Sequence, residues 1–342
     1  MKNRVYILDD LRGIAIICVI IYHYSLYSNS ISDTVVEFSK NFRDLFNLGS
    51  FAVSLFFLIS GFVIALSLNK NDKIKTVKKF IIKRFFRLYP TYWLSILAIV
   101  TAVYLLDLKN QYSIRDILFN FTMFQDLFHI QNIDGVYWTL AIELKFYILS
   151  AIFYFLGYLK NIKYIFAIFL LLSMITLFLS YFDGEKGYFN LTISYLLLMY
   201  LGTAFYFRYK KTITNNDLYI MILFTILYFI LYTFMALERG GGELFGYGIS
   251  TIVAILIFLW TIDFKSHISS ITRFFGEISY SLYLFHQVLG YFFIDYLISI
   301  NIDLNIAKIV TFILATILAF VINKTVEKPS TNIGHLIAKK IT

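Results

Sequence analysis

The 342-residue chain has one cysteine and two prolines, and Asp, Glu, Lys and Arg together make up only 15% of it. Each scarcity removes a class of protein. The single cysteine, Cys18, forms no intrachain disulfide, which excludes a disulfide-stapled scaffold; inside an apolar run it reads as a small packing residue. Two prolines leave helices largely uninterrupted and rule out a proline-rich linker. Soluble domains carry roughly 25% charged residues, so a water-soluble fold is excluded on charge alone. Acidic residues are also short: 21 against 30 Lys and Arg, a net charge of +9. The basic surplus sits in short blocks between apolar runs and not on one hydrophilic face, which argues against a nucleic-acid partner.

What fills the space is apolar and aromatic. Hydrophobic residues reach 59% and aromatics 20%, with a mean hydropathy of +0.74. Stretches of about 20 apolar residues, the length that crosses a bilayer as a helix, occur near 12–29, 49–68, 88–106 and 136–158. Others lie near 164–182, 191–207, 217–237, 244–262, 276–298 and 306–323. The expected fold is therefore an all-α, polytopic membrane helical bundle of about ten transmembrane helices, forming one membrane domain over 1–342 without a soluble domain. Most Lys and Arg fall in alternate loops, eight of them in 69–90, so the positive-inside rule places both termini in the cytoplasm. The polar "YSNSIS" after the first run lacks a small-residue cleavage site, so that run is an uncleaved span. The largest external segment, 107–135, contains "FTMFQDLFHI", an interfacial or re-entrant piece.

A few ionisable residues interrupt these runs. In "YILDDLRGIAIICVIIYHY", Arg12 and His23 are eleven residues apart, three helical turns plus about 20°. Both side chains share a face, roughly 16 Å apart along the axis, with Asp9 one turn before Arg12. Glu143 in "GVYWTLAIELKFY" and His286 in "FFGEISYSLYLFHQ" fall at a depth similar to that of His23. Two readings stay open: such residues glue helices together, or they mark a reaction or transport path. A neutral imidazole is also suited to take a proton near pH 7. In "KKFIIKRFFRLYPTYW", Arg84 and Arg87 share a face, either as a positive-inside anchor or as paired guanidinium forks for phosphate. Phosphates gripped at the cytoplasmic face and a thin arm reaching about 15 Å inward describe coenzyme A. His129, His267 and His335 show no metal-ligand spacing and read as loop or tail residues. "ERGGGE" lacks the setting of a phosphate cradle and reads as a flexible turn.

Six blocks, in order, resemble the acyltransferase-3 family of integral membrane acyltransferases, the polysaccharide O-acetyltransferase group. They are "LDDLRGIAIICVIIYHY", "FAVSLFFLISGFVIALS", "FIIKRFFRLYPTYW", "GVYWTLAIELKFY", "FGEISYSLYLFHQ" and "VEKP". The resemblance implies transfer of an acyl group, usually acetyl, from cytoplasmic acyl-CoA to a hydroxyl of a surface polysaccharide or its lipid-linked precursor. It also implies a multi-pass protein of the bacterial cytoplasmic membrane that uses acetyl-CoA as co-substrate and no metal. His23 matches the family's first-helix histidine and Arg12 its partner arginine, while Arg84 and Arg87 match the cytoplasmic arginine pair. Glu143 matches the acid of the Trp-Ser-Leu-x-x-Glu block, with Thr139 in place of Ser, and His286 matches the late histidine. Asp10 stands where the family often has Gly, and Ser54 where an acid is common. No esterase-like domain of the kind some relatives carry follows the last span. On this reading His23, Glu143 and His286 are catalytic and Arg12, Arg84 and Arg87 bind the donor; a homo-oligomer stays open. A proton-coupled glycan or lipid transporter, a helix-packing partner of a glycan complex, and transfer of succinyl or another acyl group are the alternatives.

Overall fold

A computed structural model describes residues 5–27, 46–68, 72–106, 112–183, 188–238, 242–263 and 267–341. "YSNSIS" beyond Tyr27, and Gly240 and Gly241 of "ERGGGE", lie outside the described residues. The described chain is helical throughout: α1 (Ile7–Leu26), α2 (Leu48–Leu68), α3 (Lys73–Leu105), α4 (Ile114–Thr122), α5 (Tyr137–Leu156), α6 (Ile162–Asp183) and α7 (Tyr188–Tyr209) come first. Then follow α8 (Asn215–Glu238), α9 (Gly242–Thr261), α10 (Ser270–Phe285), α11 (Val288–Ser299), α12 (Leu304–Ile322) and α13 (Lys328–Lys339). A 3₁₀ turn covers Gln125–Phe128, and a π-helical turn, Asn323–Glu327, joins α12 to α13. Among the described residues, seven helical stretches are long and apolar enough to cross a membrane, and Gly246–Thr261 and Val288–Ser299 are shorter apolar helices. The protein is a multi-pass integral membrane protein. α1 has spanning length but carries Asp9, Asp10 and Arg12 near its start.

Two elements depart from the sequence expectation. The basic block before residue 88 is not a loop: α3 runs unbroken for 33 residues through Pro90, started by Asp72, whose side chain accepts from Lys75 N. Pro90 forfeits one backbone hydrogen bond, which a long, well-packed helix tolerates. The expected span 276–298 is two helices, broken at His286 and Gln287. The "FTMFQDLFHI" segment holds the end of α4 and the 3₁₀ turn. The last carbonyls of α4 lie past its regular ladder, and three aromatic donors within about one turn of α3 bond them. Tyr89 donates to Thr122 O, Tyr92 to Asn120 O and the Trp93 indole to Phe121 O.

The chain divides into two compact units, Met1–Lys70 with Lys145–Gly276, and Asn71–Leu144 with Glu277–Thr342. In the first, α2 packs on α1, α7 and α9, and α7 also meets α6 and α8. Thr192–Phe207 of α7 is buried on all sides, which is why its apolar residues follow no single face. Small residues let α2 and α7 touch backbone to backbone. A Cβ on Gly61 would fall inside the Met199 carbonyl, and one on Gly202 inside the Leu58 carbonyl; Thr203 Oγ1 donates to Gly61 O at 3.1 Å. In the second unit, α13 lies along α3, α11 along α12, and the π turn contacts both α3 and α13.

The crossing of α2 and α7 yields the first prediction. Gly61→Val should destabilise the protein by about 1–3 kcal/mol through overpacking, lowering the thermal midpoint of the detergent-purified protein. Ser67→Val, on a half-buried surface of the same helix, should change it little.

Candidate functional site

Arg12 and His23 belong to the first unit. α1 runs unbroken between them, so the shared face read from the spacing holds, with Ile16, Val19 and Ile20 buried along the helix. Both side chains are half-buried, and the His23 ring stands edge-on to Tyr22 with centroids 5.3 Å apart. The start of α1 is fixed by Asp10, which is fully buried. It accepts from the Ile268 amide at 3.1 Å and from the Thr272 hydroxyl, and it pairs with His267 Nδ1 at 2.8 Å. Backbones meet on either side of this clamp: Gly13 leaves no room for a Cβ against Thr272, and Gly276 none against Asp9. The residue that departs from the family pattern therefore ties α1 to the start of α10, one residue away from Gly276 contact and two before Arg12. His267, read from sequence as a loop residue, supplies one of the three bonds of that tie. Ser54, the other departure, hydrogen bonds Thr251 at 3.0 Å across the buried contact of α2 and α9.

Arg84, Arg87, Glu143 and His286 belong to the second unit. Arg84 stacks over the Phe80 ring at 5.5 Å, and both arginines are half-buried, more enclosed than a purely solvated anchor needs to be. Arg87, Glu143 and Glu327 all lie near enough to the Tyr280 hydroxyl for their charges to act on it; that hydroxyl donates to Leu88 O at 2.8 Å. The structure thus brings Arg87 and Glu143 to a common neighbourhood around Tyr280. His286 sits beyond the end of α10, fully buried, its Nδ1 bonded to Tyr283 O at 2.9 Å. Tyr283 in turn shares its hydroxyl with Thr139 Oγ1 at 2.7 Å and Val136 O at 3.2 Å. The hydroxyl of Thr139 therefore does what a serine there would do, anchoring the tryptophan block to the histidine block.

The residue that builds this junction is one the sequence reading passed over. Asp134 is 1% exposed. It accepts from Val136 N at 3.1 Å, entering α5, and from Val288 N at 3.4 Å, the first amide of α11. One carboxylate thereby satisfies orphan donors at two helix starts, and its position holds the break at His286 and Gln287. The Gln287 side-chain amide packs over Gly135, its oxygen 2.9 Å from where a Cβ would stand. Burial pushes the Asp134 carboxyl up to about 7, against the two amides, which pull it down. The signal was in the sequence: an Asp-Gly pair directly before an apolar helical block. Glu327, in the quoted but unassigned "VEKP", is likewise buried. It accepts from Ser281 Oγ at 2.6 Å and Asn323 Nδ2 at 3.0 Å, brought there by the π turn, a geometry often found at functional positions. His129 caps the 3₁₀ turn with φ 55°, and His335 is helical, in α13, not a loose tail.

Two predictions come from these joints. Asp10→Ala leaves the Ile268 amide without its acceptor, while the Thr272 hydroxyl keeps Ser269 O, a loss of about 1–3 kcal/mol readable as a lower thermal midpoint; His267→Ala, which removes one bond of three, should cost less. For Asp134 the native state holds its proton more tightly than the unfolded chain does, because its carboxyl titrates near 7 and not near 3.8. Its contribution is fully present below about pH 4 and is lost as pH rises through 7. The thermal midpoint of wild type should thus fall across pH 4–7.5 more steeply than that of Asp134→Asn, measured in the same detergent.

Comparison with known proteins adds to this geometry. The model of the acyltransferase domain of the acyltransferase-3 family matches residues 5–324. The ORF330 protein of Acidianus two-tailed virus, whose name carries the word acetyltransferase, is 25% identical over 311 residues, 84% of each chain. Peptidoglycan O-acetyltransferase OatA of Listeria monocytogenes is 26% identical over 325 residues, covering 83% of this chain and 49% of that protein. The chain thus spans about half the length of OatA. No solved structure matches it. With the six blocks in order, the arginine and histidine on one face of α1 and a match across nearly the whole chain, this membrane protein belongs to the acyltransferase-3 family and is an acyltransferase.

Proposed function

We propose that the protein is an O-acetyltransferase that takes an acetyl group from cytoplasmic acetyl-CoA and passes it to a hydroxyl of a cell-surface polysaccharide or its lipid-linked precursor. The observation that carries this reading is the unbroken helix presenting Arg12 and His23 on one face, within a chain matched to the family over 5–324. The named relative in Listeria acts on peptidoglycan, which makes a glycan acceptor the natural class. In the arrangement proposed, ten segments cross the membrane with both termini in the cytoplasm, the orientation that collects most Lys and Arg on that side. The membrane is the bacterial cytoplasmic membrane.

Each candidate residue has a role in this scheme. His23 is the general base on the acceptor hydroxyl, or carries the acyl group briefly. In direct transfer the hydroxyl oxygen attacks the thioester carbonyl, its proton goes to His23, the C–S bond breaks, and His23 returns the proton to the leaving sulfur so that CoA departs as the thiol. Arg12, Arg84 and Arg87 hold donor phosphates through charge-assisted hydrogen bonds. Glu143 and His286 orient the acceptor or the imidazole. A bound donor needs no metal for this chemistry, since the thioester is already activated.

General acid–base catalysis contributes about 10²–10⁴-fold. His23→Ala should therefore lower acetyl transfer by that factor while leaving the thermal midpoint and CoA binding near wild type. Wild-type turnover in the purified variant would remove the assignment. Mass analysis of surface glycans after deletion of the gene should show loss of acetyl groups. Glycan movement that depends on a proton gradient and consumes no CoA would instead favour transport. Radiolabel retained on the protein after incubation with acetyl-CoA alone would select the acyl-enzyme route over direct transfer.

A further inference from the structure

The His23 imidazole stands close to a helix end. Leu26 is the last residue of α1, so less than one further turn follows His23. Its neighbour Tyr22 is turned toward it: the two rings meet edge-on, with centroids 5.3 Å apart and planes at 75°. Adjacent residues of a helix point about 100° apart and do not ordinarily face each other, so the pair forms only where something holds the tyrosine ring over. That support comes from α2, in the same compact unit. The Tyr22 ring packs over Gly49, where a Cβ would stand 2.7 Å from Cδ1, 2.8 Å from Cε1 and 3.0 Å from Cγ. A side chain there would have to displace the ring.

Gly49 is a fixed floor for that ring. It lies in the first turn of α2, and Asn47, the buried residue before this helix, anchors the turn. Asn47 Oδ1 accepts from Ser50 N at 2.8 Å and its carbonyl from Phe51 N at 3.0 Å, while its own amide donates to Ser250 Oγ on α9 at 2.8 Å. The side-chain cap satisfies an orphan amide of the helix start, and the bond to Ser250 ties that start to a second helix. A line of contacts thus runs from α9 through Asn47 and Gly49 to the Tyr22 ring, and from there to the imidazole. Glycine is a poor helix former. What it supplies here is a seat with no side chain in the way.

We propose that Tyr22, seated on Gly49, is a positioning residue that holds the His23 imidazole in the orientation its reaction requires. This rests on the base or acyl-carrier role proposed above for His23 and extends it to the two residues that set the ring. Tyr22 touches neither donor nor acceptor in this role; its ring limits how far the imidazole turns about its side-chain torsions. Aromatic rings prefer particular mutual geometries, so the contact selects an orientation and does not merely fill space. Carbon atoms in contact rest about 3.5–4.0 Å apart, so a methyl group at position 49 would push the tyrosine ring away by about 1 Å. Misplacement of that order costs a reaction up to about 10²-fold.

Membrane vesicles from cells that carry each variant as the sole copy hold the native acceptor. The label that passes from radiolabelled acetyl-CoA into glycan gives turnover per folded protein and the KM for the donor. Gly49→Ala should lower turnover about 10- to 100-fold with the donor KM unchanged. Its thermal midpoint should fall little, because the helix preference of alanine offsets the displaced ring. Tyr22→Phe, which keeps the ring, should turn over as wild type does, and Tyr22→Ala should be about as slow as Gly49→Ala. Adding Gly49→Ala to Tyr22→Ala should then cost nothing more, the non-additivity expected of two changes that act through one contact. Suppose instead that His23→Ala is inactive but Gly49→Ala turns over normally, or slows the Tyr22→Ala protein by the same factor as it slows wild type. The positioning role then falls and the role of His23 stands. A loss with Tyr22→Phe equal to that with Tyr22→Ala also overturns it, since the hydroxyl and not the ring would then matter. Absence of glycan label with the wild type, or wild-type turnover in His23→Ala, removes both.

Discussion

Backbone groups released where a helix stops cannot be left bare in a low-dielectric environment, and this requirement organises the rest of the structure. The described chain meets it with side chains borrowed from distant segments. Tyr89, Tyr92 and Trp93 receive the terminal carbonyls of α4, Asp134 answers amides entering α5 and α11, and Asp10 takes the Ile268 amide near the start of α10. At each joint a polar residue that would be expensive alone becomes affordable because it satisfies a backbone group that would also be expensive alone. The joints therefore fix where helices may break, and so where polar side chains can stand.

The candidate chemistry clusters beside these joints. Arg12 follows Asp10 by two positions on α1. His286 occupies the break that Asp134 holds, and Thr139 and Tyr283 link the two blocks that flank it. Tyr280 reaches from α10 to the Leu88 carbonyl on α3, just past Arg87. A residue that must keep one orientation through a reaction gains from sitting next to the most constrained backbone in the chain. The candidate residues thus stand beside polar contacts that tie helix ends together.

The sequence made helix existence plain because runs of about 20 apolar residues have few alternatives; nine of the ten expected spans correspond to single described helices. What it concealed were the joints. The run 276–298 reads as continuous since nothing within it resembles a breaker, and the interruption at His286 depends on Asp134, some 150 positions earlier. The extension of α3 back to Lys73 was obscured by charge, although lysine and arginine are good helix formers. Arg12, His23, Arg84, Arg87, Glu143 and His286 were all visible as ionisable residues in or beside apolar stretches. The roles of Asp10, Asp134 and Glu327 were not, because a buried acid is recognised by its partners, and those lie far off in the chain.

The five-residue π turn at Asn323–Glu327 inserts one residue relative to an α-helix, with Lys328 N bonded to Asn323 O. One added residue rotates everything downstream by about 100°. A natural variant that deleted a single position here would straighten the C-terminal rod into an ordinary helix and swing the Ser330, Gly334 and Ala338 ridge a quarter turn away from its neighbour. Length changes in this short stretch are therefore expected to be far less tolerable to evolution than point changes on its outer side.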